Sequence, residues 1–319
     1  MPRIIVVGAS QGGIHALRSL VGGLPAEFSA PILIVQHIGA SQSILPLILN
    51  AADGDRVAFG RHGEALKERR IYVAPSDHHM VLKDGRLELT RGPRENWARP
   101  AIDPLFRTAA FYYGPEAIGV VLTGRLNDGT AGLYEIKRQG GIAVVQTPAE
   151  AESPDMPQSA LDNVAVDYCL PVAEMPRLLT RLAQEPSSKR SWFPGVTAMP
   201  ERIIEPSAQT CPECGGAMRE EKVGSLTRFR CHIGHVMTAE VLASTQLEKL
   251  ENEISSVLRT LNERAALCRE LAGRQAVAGN SRAAESWERA AEEAEQRERL
   301  ARQLVDKKWA HPEVVEETA

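Results

Sequence analysis

The chain has 319 residues, of which 43% are apolar, and its formal net charge at pH 7 is −4. This length accommodates two domains, or one domain with appended modules. The mild acidity gives no reason to expect a nucleic acid partner, and no apolar run reaches the roughly 18 residues of a membrane span. No signal peptide precedes Ile4, so a cytoplasmic location without membrane insertion is expected.

The first predicted strand is the apolar, β-branched run at residues 4–7, which is typical of a strand buried on both faces of a parallel sheet. Gly8-Ala-Ser-Gln-Gly12 follows it and fits the G-x-S-x-G pattern, in which a serine lies on a tight strand-to-helix turn. Ser10 is therefore a candidate nucleophile. Two other interpretations stay open: Ser10 caps the following helix, or the glycine-rich turn holds a phosphate.

Apolar runs alternate with amphipathic segments as far as about residue 185. Strands are predicted at residues 4–7, 32–35, 71–73, 118–122, 142–145 and 165–169, and an antiparallel hairpin at 80–82 and 87–90. Helices are predicted near residues 14–21, 44–51, 102–113, 131–139 and 173–182. This alternation predicts an α/β fold, a doubly wound and largely parallel sheet with helices on both faces.

Polar residues follow three of these strands at their carboxyl ends, where functional residues gather in such folds. They are Ser10, His37 and Asp128. A serine hydroxyl needs an imidazole to take its proton and a carboxylate to fix the imidazole tautomer, so the set predicts acyl-transfer chemistry. The backbone N–H of Gln11 would then help to hold the oxyanion. Alternatively, His37 hydrogen-bonds a loop, and Asp128 forms a turn or caps the next helix.

Five motifs occur in order along the same segment. They are Gly8-Ala-Ser-Gln-Gly-Gly13, Gln36-His37, Ala74-Pro-Ser-Asp-His-His79, Asn96-Trp-Ala-Arg-Pro-Ala-Ile-Asp-Pro-Leu-Phe106 and Leu122-Thr-Gly-Arg-Leu-Asn-Asp-Gly129. With this set, residues 1–185 resemble the catalytic domain of chemotaxis receptor methylesterases, the CheB-type protein-glutamate methylesterases. That family hydrolyses γ-glutamyl methyl esters on receptor helices and often deamidates receptor glutamines.

The resemblance implies that Ser10 is the nucleophile, His37 the general base and Asp128 the acid that orients it. It also implies that the backbone N–H of Arg125, where methionine is usual, contributes to the oxyanion hole. Arg99 is a candidate for binding acidic groups on a methylated receptor-type protein substrate. No cofactor is expected for catalysis. Because the first strand begins at residue 4, the receiver domain that usually precedes such a catalytic domain is not expected here.

Two alternative functions stay open beside this one. The first is an esterase that acts on another protein or on a small-molecule ester. The second is a regulatory or binding module whose triad is idle.

A second kind of site is predicted beyond residue 209. The chain has five cysteines, and their clustering suggests a metal rather than disulfides in a reducing compartment. Cys211, Cys214, Cys231 and His235 predict a closed, structural zinc site of the ribbon type. His232 is the rival fourth ligand, and His235 is favoured because the glycine before it allows the chain to fold back.

The C-terminal part is predicted to be helical, with one apolar seam on each of two helices. The seam residues are Leu247, Leu250, Ile254, Val257, Leu261, Cys268 and Leu271 on the first helix, and Trp287, Ala290, Ala294 and Leu304 on the second. An antiparallel hairpin is expected, which either self-associates or docks a partner.

The predicted organisation is a catalytic domain at 1–185, a linker at 186–209, a zinc-ribbon-like module at 210–237, a helical hairpin at 238–310 and a tail at 311–319. Because the linker is expected to be flexible, the catalytic segment alone is expected to hydrolyse a small ester as fast as the whole chain. The C-terminal modules are then expected to matter for a protein substrate.

Overall fold

The computed structural model describes residues 3–37, 43–53, 56–185 and 206–306. Most of the predicted linker and the whole of the predicted tail lie outside the described residues. The chain divides into two compact units, Met1–Leu242 and Ala243–Ala319. Among the described helices, none combines the length and the apolar composition that crossing a membrane requires.

The described residues form fourteen strands and eight α-helices. The strands are β1 Ile4–Ala9, β2 Ile32–Gln36, β3 Val57–Phe59, β4 Glu64–Ala65, β5 Ile71–Val73, β6 His79–Lys83, β7 Arg86–Thr90, β8 Ala117–Val121, β9 Ile142–Gln146, β10 Tyr168–Leu170, β11 Pro206–Thr210, β12 Ala217–Val223, β13 Leu226–Cys231 and β14 Val236–Thr238. The helices are α1 Gly13–Gly22, α2 Leu45–Asp53, α3 Ile102–Tyr113, α4 Thr130–Arg138, α5 Asp155–Asn163, α6 Met175–Gln184, α7 Ala239–Val277 and α8 Ser281–Asp306.

A seven-stranded parallel sheet is the centre of the first unit, in the order β10-β9-β8-β1-β2-β5-β3. Helices cover both faces, because alternate residues of each strand point in opposite directions. Ile5 and Val7 pack with α1, α2 and α6, whereas Ile4 and Val6 pack with α3, α4 and α5. This confirms the predicted α/β class. The strand order reverses at β1, so the carboxyl ends of β1, β2 and β8 meet at a switch point.

Three elements of the α/β part were not predicted: β3, β4, which has only two residues, and α5. β3 has only three residues at one edge of the sheet, which is too short for a periodic pattern. α5 contains Pro157, and of its nine residues only Met156, Pro157 and Ala160 are buried. The predicted hairpin is present as β6 and β7, which pair antiparallel with each other. β7 also pairs antiparallel with β4, and the three strands form a small separate sheet.

The strands β11 to β14 form an antiparallel sheet, here called the ribbon, and it belongs to the same compact unit as the parallel sheet. Val223 and Leu226, at the β12–β13 turn, are buried against Ala131 and Tyr134 of α4. The ribbon therefore packs directly on the α/β part through an apolar contact.

The second unit contains most of α7 and all of α8. Of the predicted seam on α7, Ile254 and Cys268 are buried, but Leu250 and Val257 are exposed. On α8, Ala294 of the predicted seam is buried, whereas Trp287 and Leu304 are exposed. Three small residues outside the predicted seams, Ala265, Ala272 and Ala291, are also buried. An ion pair between Arg269 and Glu295 joins the two helices.

Candidate active site

Ser10 lies on the turn between β1 and α1. Its N–H donates to the carbonyl of Thr123 (3.0 Å), and its own carbonyl accepts from the N–H of Gly13 (2.9 Å). Gly12 immediately precedes α1 with a φ of 75°, a left-handed conformation that favours glycine, and no side chain caps the helix. The alternative in which Ser10 caps α1 is therefore wrong.

His37 follows β2 and lies beside Ser10. The parallel register pairs Ala9 with Gln36, the last residues of β1 and β2. Ser10 and His37 directly follow these two residues, so they lie at neighbouring positions at the end of the sheet. The Gln36 side-chain amide ties these two positions together, because its Nε2 donates to the carbonyls of Ser10 (2.7 Å) and His37 (2.9 Å). The ring of His37 contacts a carboxylate: its Nε2 lies 2.7 Å from Oδ2 of Asp128.

Asp128 is a buried carboxylate with donors on both oxygens. Besides His37, it accepts from the backbone N–H of Ile102 (2.7 Å) and of Asp103 (3.3 Å) at the start of α3, and from Nδ2 of Asn96 (2.8 Å). Burial by itself raises the pKa of Asp128, but the hydrogen bond and charge of His37, with the donors of Ile102 and Asn96, lower it below its ordinary value. The positive end of α3 also favours the ionised form. Asp128 is thus held as an anion facing His37.

A second buried carboxylate, Asp103, lies close to Asp128. The Nδ2 group of Asn96 donates to both, to Asp103 at 3.0 Å and to Asp128 at 2.8 Å. Burial and the charge of Asp128 raise the pKa of Asp103 to about 7. Like charges in one dry site disfavour double ionisation, so Asp103 carries the proton more readily and Asp128 stays ionised.

The loop after β8 lies against Ser10 and leaves one backbone donor free. A Cβ added to Gly124 would come within 2.7 Å of the Cβ of Ser10. The N–H of Gly124 donates to Ser153 O (2.9 Å) and that of Leu126 to Asp155 Oδ2 (3.2 Å). Within the described part of the chain, the intervening N–H of Arg125 has no acceptor, and neither has that of Gln11. Both predicted oxyanion donors are therefore available.

Arg99 is engaged inside the protein. Its guanidinium donates to Oδ1 of Asp77 from Nε (2.8 Å) and Nη2 (2.6 Å), and to the carbonyl of Gly92 from Nη1 (2.8 Å). Arg91 also pairs with Asp77. The Asp77 carboxylate offsets the charge that would attract an acidic substrate group, so the geometry favours a structural role for Arg99. Its substrate-binding role stays a prediction.

Several polar residues of the site had no role assigned from the sequence. Asn96 and Asp103 lie in one of the five motifs, and Gln36 in another. Thr123 links the turn at Ser10 to its neighbours, since its Oγ1 donates to the carbonyl of Gln11 (2.9 Å) and accepts from the N–H of Ser153 (2.8 Å). The motifs mark these residues, but their hydrogen bonds join positions far apart in the chain and have no local signal.

The ribbon brings together the four predicted metal ligands. One side-chain donor atom from each of Cys211, Cys214, Cys231 and His235 lies within 4.8 Å of all the others. His235 points its Nδ1 inward, 3.4 Å from Sγ of Cys231 and 3.7 Å from Sγ of Cys211. Three cysteines and one histidine are a donor set that suits a closed tetrahedral zinc site, in which ligand atoms lie about 3.5–4 Å apart.

Glu213 and His232 are close in sequence to the four clustered residues, but neither is a member of the cluster. Glu213 places Oε2 3.5 Å from Nε2 of His235, the ring nitrogen that faces away from the cluster. A carboxylate that accepts a hydrogen bond there would fix the tautomer of a metal-binding histidine, but Oε2 of Glu213 has no hydrogen-bond partner within the described part of the chain. His232 is not in the cluster, and its ring lies against Gly216.

A serine on a strand-to-helix turn, beside a histidine–aspartate pair on a doubly wound parallel sheet, is the arrangement of a serine hydrolase. Comparison with known proteins narrows this class. The model of the family described as CheB methylesterase matches residues 5–179. The chain belongs to the CheB methylesterase family, and it is a hydrolase of that class.

Individual relatives match the same part of the chain. A Leptospira interrogans protein, provisionally named a protein-glutamate methylesterase/protein-glutamine glutaminase, is 42% identical over 58% of this chain and 97% of its own length. An Anaeromyxobacter dehalogenans protein-glutamate methylesterase/protein-glutamine glutaminase is 40% identical over 57% of this chain but only 53% of its own. The crystal structure of the Thermotoga maritima CheB methylesterase catalytic domain has a TM-score of 0.55 and 32% identity, covering 57% of this chain and 99% of that one. These matches extend over little more than half of this chain, so they say nothing of the C-terminal helices.

Proposed function

We propose that this protein hydrolyses γ-glutamyl methyl esters on a chemoreceptor-type protein, with Ser10, His37 and Asp128 as its catalytic triad. The observation that supports this most is the short contact between His37 and the buried Asp128 (2.7 Å). The register that pairs Ala9 with Gln36, the residues just before Ser10 and His37, supports it as well. The names of the relatives suggest deamidation of glutamine as a second reaction, which the same acyl-transfer chemistry would perform with ammonia as the leaving group.

In the proposed reaction, the oxygen of Ser10 attacks the ester carbonyl while His37 takes the hydroxyl proton. Because Nε2 of His37 faces Asp128, Nδ1 is the nitrogen left for this transfer. The backbone N–H groups of Gln11 and Arg125 stabilise the oxyanion of the tetrahedral intermediate. His37 then returns the proton to the departing methoxide, which leaves as methanol. Water attacks the acyl-enzyme by the same steps and releases the free glutamate.

Methanol release from methylated receptor fragments, measured beside hydrolysis of a p-nitrophenyl ester, tests the proposal. Methanol release by the native chain and none by Ser10→Ala is the expected result. Hydrolysis of the p-nitrophenyl ester alone would favour an esterase with another substrate. If the native chain also forms no adduct with a serine-reactive fluorophosphonate, the triad is idle and the protein is a binding module.

We further propose that the ribbon binds one structural zinc ion through Cys211, Cys214, Cys231 and His235. All four positions are protein ligands, so the ion would have no open position for catalysis. Cysteines gathered around one point rather than joined in disulfides are typical of a reducing compartment, which supports a cytoplasmic location. The exposed apolar residues of α7 and α8 support a role for the helices in self-association or partner docking.

A further inference from the structure

The ribbon pairs with the segment of the α/β part that carries Asn96. The N–H of Asn96 donates to the carbonyl of Val236 in β14 (2.8 Å), and the N–H of Val236 donates to the carbonyl of Arg94 (3.3 Å). These two bonds form a parallel bridge between Glu95 and Val236. Asn96 has a φ of 49°, a left-handed conformation that asparagine adopts more readily than most non-glycine residues. Its backbone bond to the last ribbon strand contributes to holding it there.

Thr238, at the end of β14, hydrogen-bonds two residues that neighbour Asp128. Its N–H donates to Oδ1 of Asn96 (3.3 Å), and its Oγ1 donates to Oδ1 of Asn127 (2.7 Å). Asn127 is the residue before Asp128, and Asn96 donates directly to the Asp128 carboxylate. Thr238 is fully buried, so water does not compete for these bonds. One ribbon residue therefore orients two neighbours of the triad carboxylate.

The hydrogen bond from the N–H of Thr238 to Oδ1 of Asn96 fixes the orientation of the Asn96 side-chain amide. Because Oδ1 of Asn96 faces the N–H of Thr238, its Nδ2 is turned toward Asp103 and Asp128. An amide turned the other way would place an oxygen against two carboxylates and would remove a donor from each. The ribbon thus determines the electrostatic contact between Asn96 and Asp128.

The ribbon also brings a buried cation toward this carboxylate pair. Arg228 of β13 is buried, and its Nη2 lies 3.2 Å from Oε2 of Glu221. Its charge partly offsets the burial and the charge of Asp128, which together raise the pKa of Asp103. This observation is independent of Thr238 and also connects the ribbon with the buried carboxylates.

At its other end, β14 begins directly after the metal ligand His235. Cys211 and Cys231 are themselves members of the small ribbon core, with Met218, Met237 and Val241. A core of this size does not hold a fold without a further constraint, and in such modules metal binding and folding are coupled. We therefore expect the position of β14 to depend on the metal cluster as well as on the contacts of the ribbon with the α/β part.

We propose that the metal-loaded ribbon is a positioning element of the esterase site, in which Thr238 orients Asn96 and Asn127 and thereby holds Asp128 against His37. This inference rests on the proposed function. It assigns Thr238 and Asn96 as positioning residues, since neither touches the reacting atoms. It also makes turnover depend on a metal that takes no part in the chemistry.

The first test uses the full zinc-loaded chain with p-nitrophenyl acetate as the probe. Thr238→Val removes the Oγ1 bonds at nearly constant volume and is expected to lower kcat by about tenfold, the order that a small misplacement of a catalytic group costs, with little change in KM. Thr238→Ser keeps the hydroxyl and should restore kcat. The matched control is Ser225→Ala, because Ser225 also bonds the α/β part, donating to Oδ1 of Asn163 at 2.6 Å, but is not bonded to the Asn96 network.

Fluorophosphonate titration separates positioning from loss of folded protein. If Thr238 only positions the triad, every chain of the Thr238→Val variant still takes one label, and the rate of labelling falls in proportion to kcat. A smaller labelled fraction with an unchanged rate would mean that the variant simply unfolds, and would overturn the positioning role. So would a kcat for Thr238→Val equal to that of Ser225→Ala.

The second test withdraws zinc from the full chain with a chelator and then restores it. The labelling rate should fall by about tenfold when zinc is removed and recover when it is restored. Hydrogen exchange at the backbone N–H of Asn96, which donates to β14, should speed up and then slow again. Amides of β1 should not change. An unchanged labelling rate with faster exchange at Asn96 would overturn the inference. If the native chain takes no label at all, the esterase proposal fails instead, and exchange at Asn96 alone decides whether the metal controls this segment.

Discussion

At the residue scale, the site separates two buried carboxylates by giving them unequal donors. Asp128 receives the His37 ring and the backbone N–H groups at the start of α3, so its pKa is lowered. Asp103 shares only the Asn96 amide with it and accepts one further bond, from the N–H of Gly132 (2.7 Å). The carboxylate that faces the histidine is therefore the one that stays ionised.

The unequal pair predicts a pH dependence of stability. The pKa of Asp103 rises from 3.8 to about 7 on folding, so the native state keeps a proton that the unfolded chain releases. Between about pH 4 and 7 the native state binds more protons, and the contribution of Asp103 to the free energy of unfolding falls as pH rises. Asp103→Asn should remove this contribution, which is measured as a smaller change in Tm across that range.

The control for this measurement is Asp162→Asn, an exposed position on α5. It should leave the pH dependence of Tm as in the native chain, whatever it does to Tm itself. A slope in Asp103→Asn equal to that of the native chain would show that Asp103 ionises normally.

The residues of the proposed triad are expected to act as a unit. Ser10→Ala and His37→Ala should each lower kcat on a p-nitrophenyl ester by about 10³-fold or more, and the double variant should be little worse than either, because either loss removes the same step. Circular dichroism should show an unchanged fold. Losses that multiply in the double variant would mean that Ser10 and His37 work in separate steps.

At the element scale, local apolar patterns predict the strands, turns and helices, whereas hydrogen bonds between polar residues far apart in the chain cannot be predicted from the sequence. The buried run of β1, the turn at Ser10 and the spacing of the ribbon cysteines are local patterns, and the corresponding elements are present. The predicted seams on α7 and α8 agree only in part with the buried residues. Ile254, Cys268 and Ala294 are buried, but Trp287 is exposed and Ala291, outside the seam, is buried. Nothing in the sequence indicated that Thr238 contacts Asn96, since 142 positions separate them.

The ribbon carries a prediction about its own ligands. Purified protein should contain about one zinc ion per chain, held by thiolates and lost on acidification. His235→Ala should weaken zinc binding strongly, because its Nδ1 points into the cluster, whereas His232→Ala should leave it almost unchanged. Competition with a chromogenic chelator measures both affinities. The opposite order would mean that His232 is the fourth ligand.

At the scale of the whole molecule, the contacts of the ribbon change where the catalytic unit should end. The sequence placed the end of the catalytic domain near residue 185, with independent modules beyond it. The structure instead includes the ribbon in the unit Met1–Leu242, and buried bonds from Thr238 reach the residues around Asp128. We therefore propose that the functional unit extends through the ribbon. A fragment ending near residue 185 should then hydrolyse a small ester more slowly than the whole chain, and not equally fast as the sequence alone suggested.

Two truncations test this organisation. A chain that ends after Leu242 keeps the ribbon and its contacts, so its kcat on p-nitrophenyl acetate should equal that of the full chain. A chain that ends after Glu185 loses Thr238, and its kcat should fall by about tenfold or more, as expected when a triad carboxylate is displaced. If α7 and α8 dock the substrate, the chain ending after Leu242 should also show a raised KM for a methylated receptor fragment and an unchanged kcat, because tethering only raises local concentration. Equal activity of both truncations on the small ester would return the ribbon to the status of an independent module.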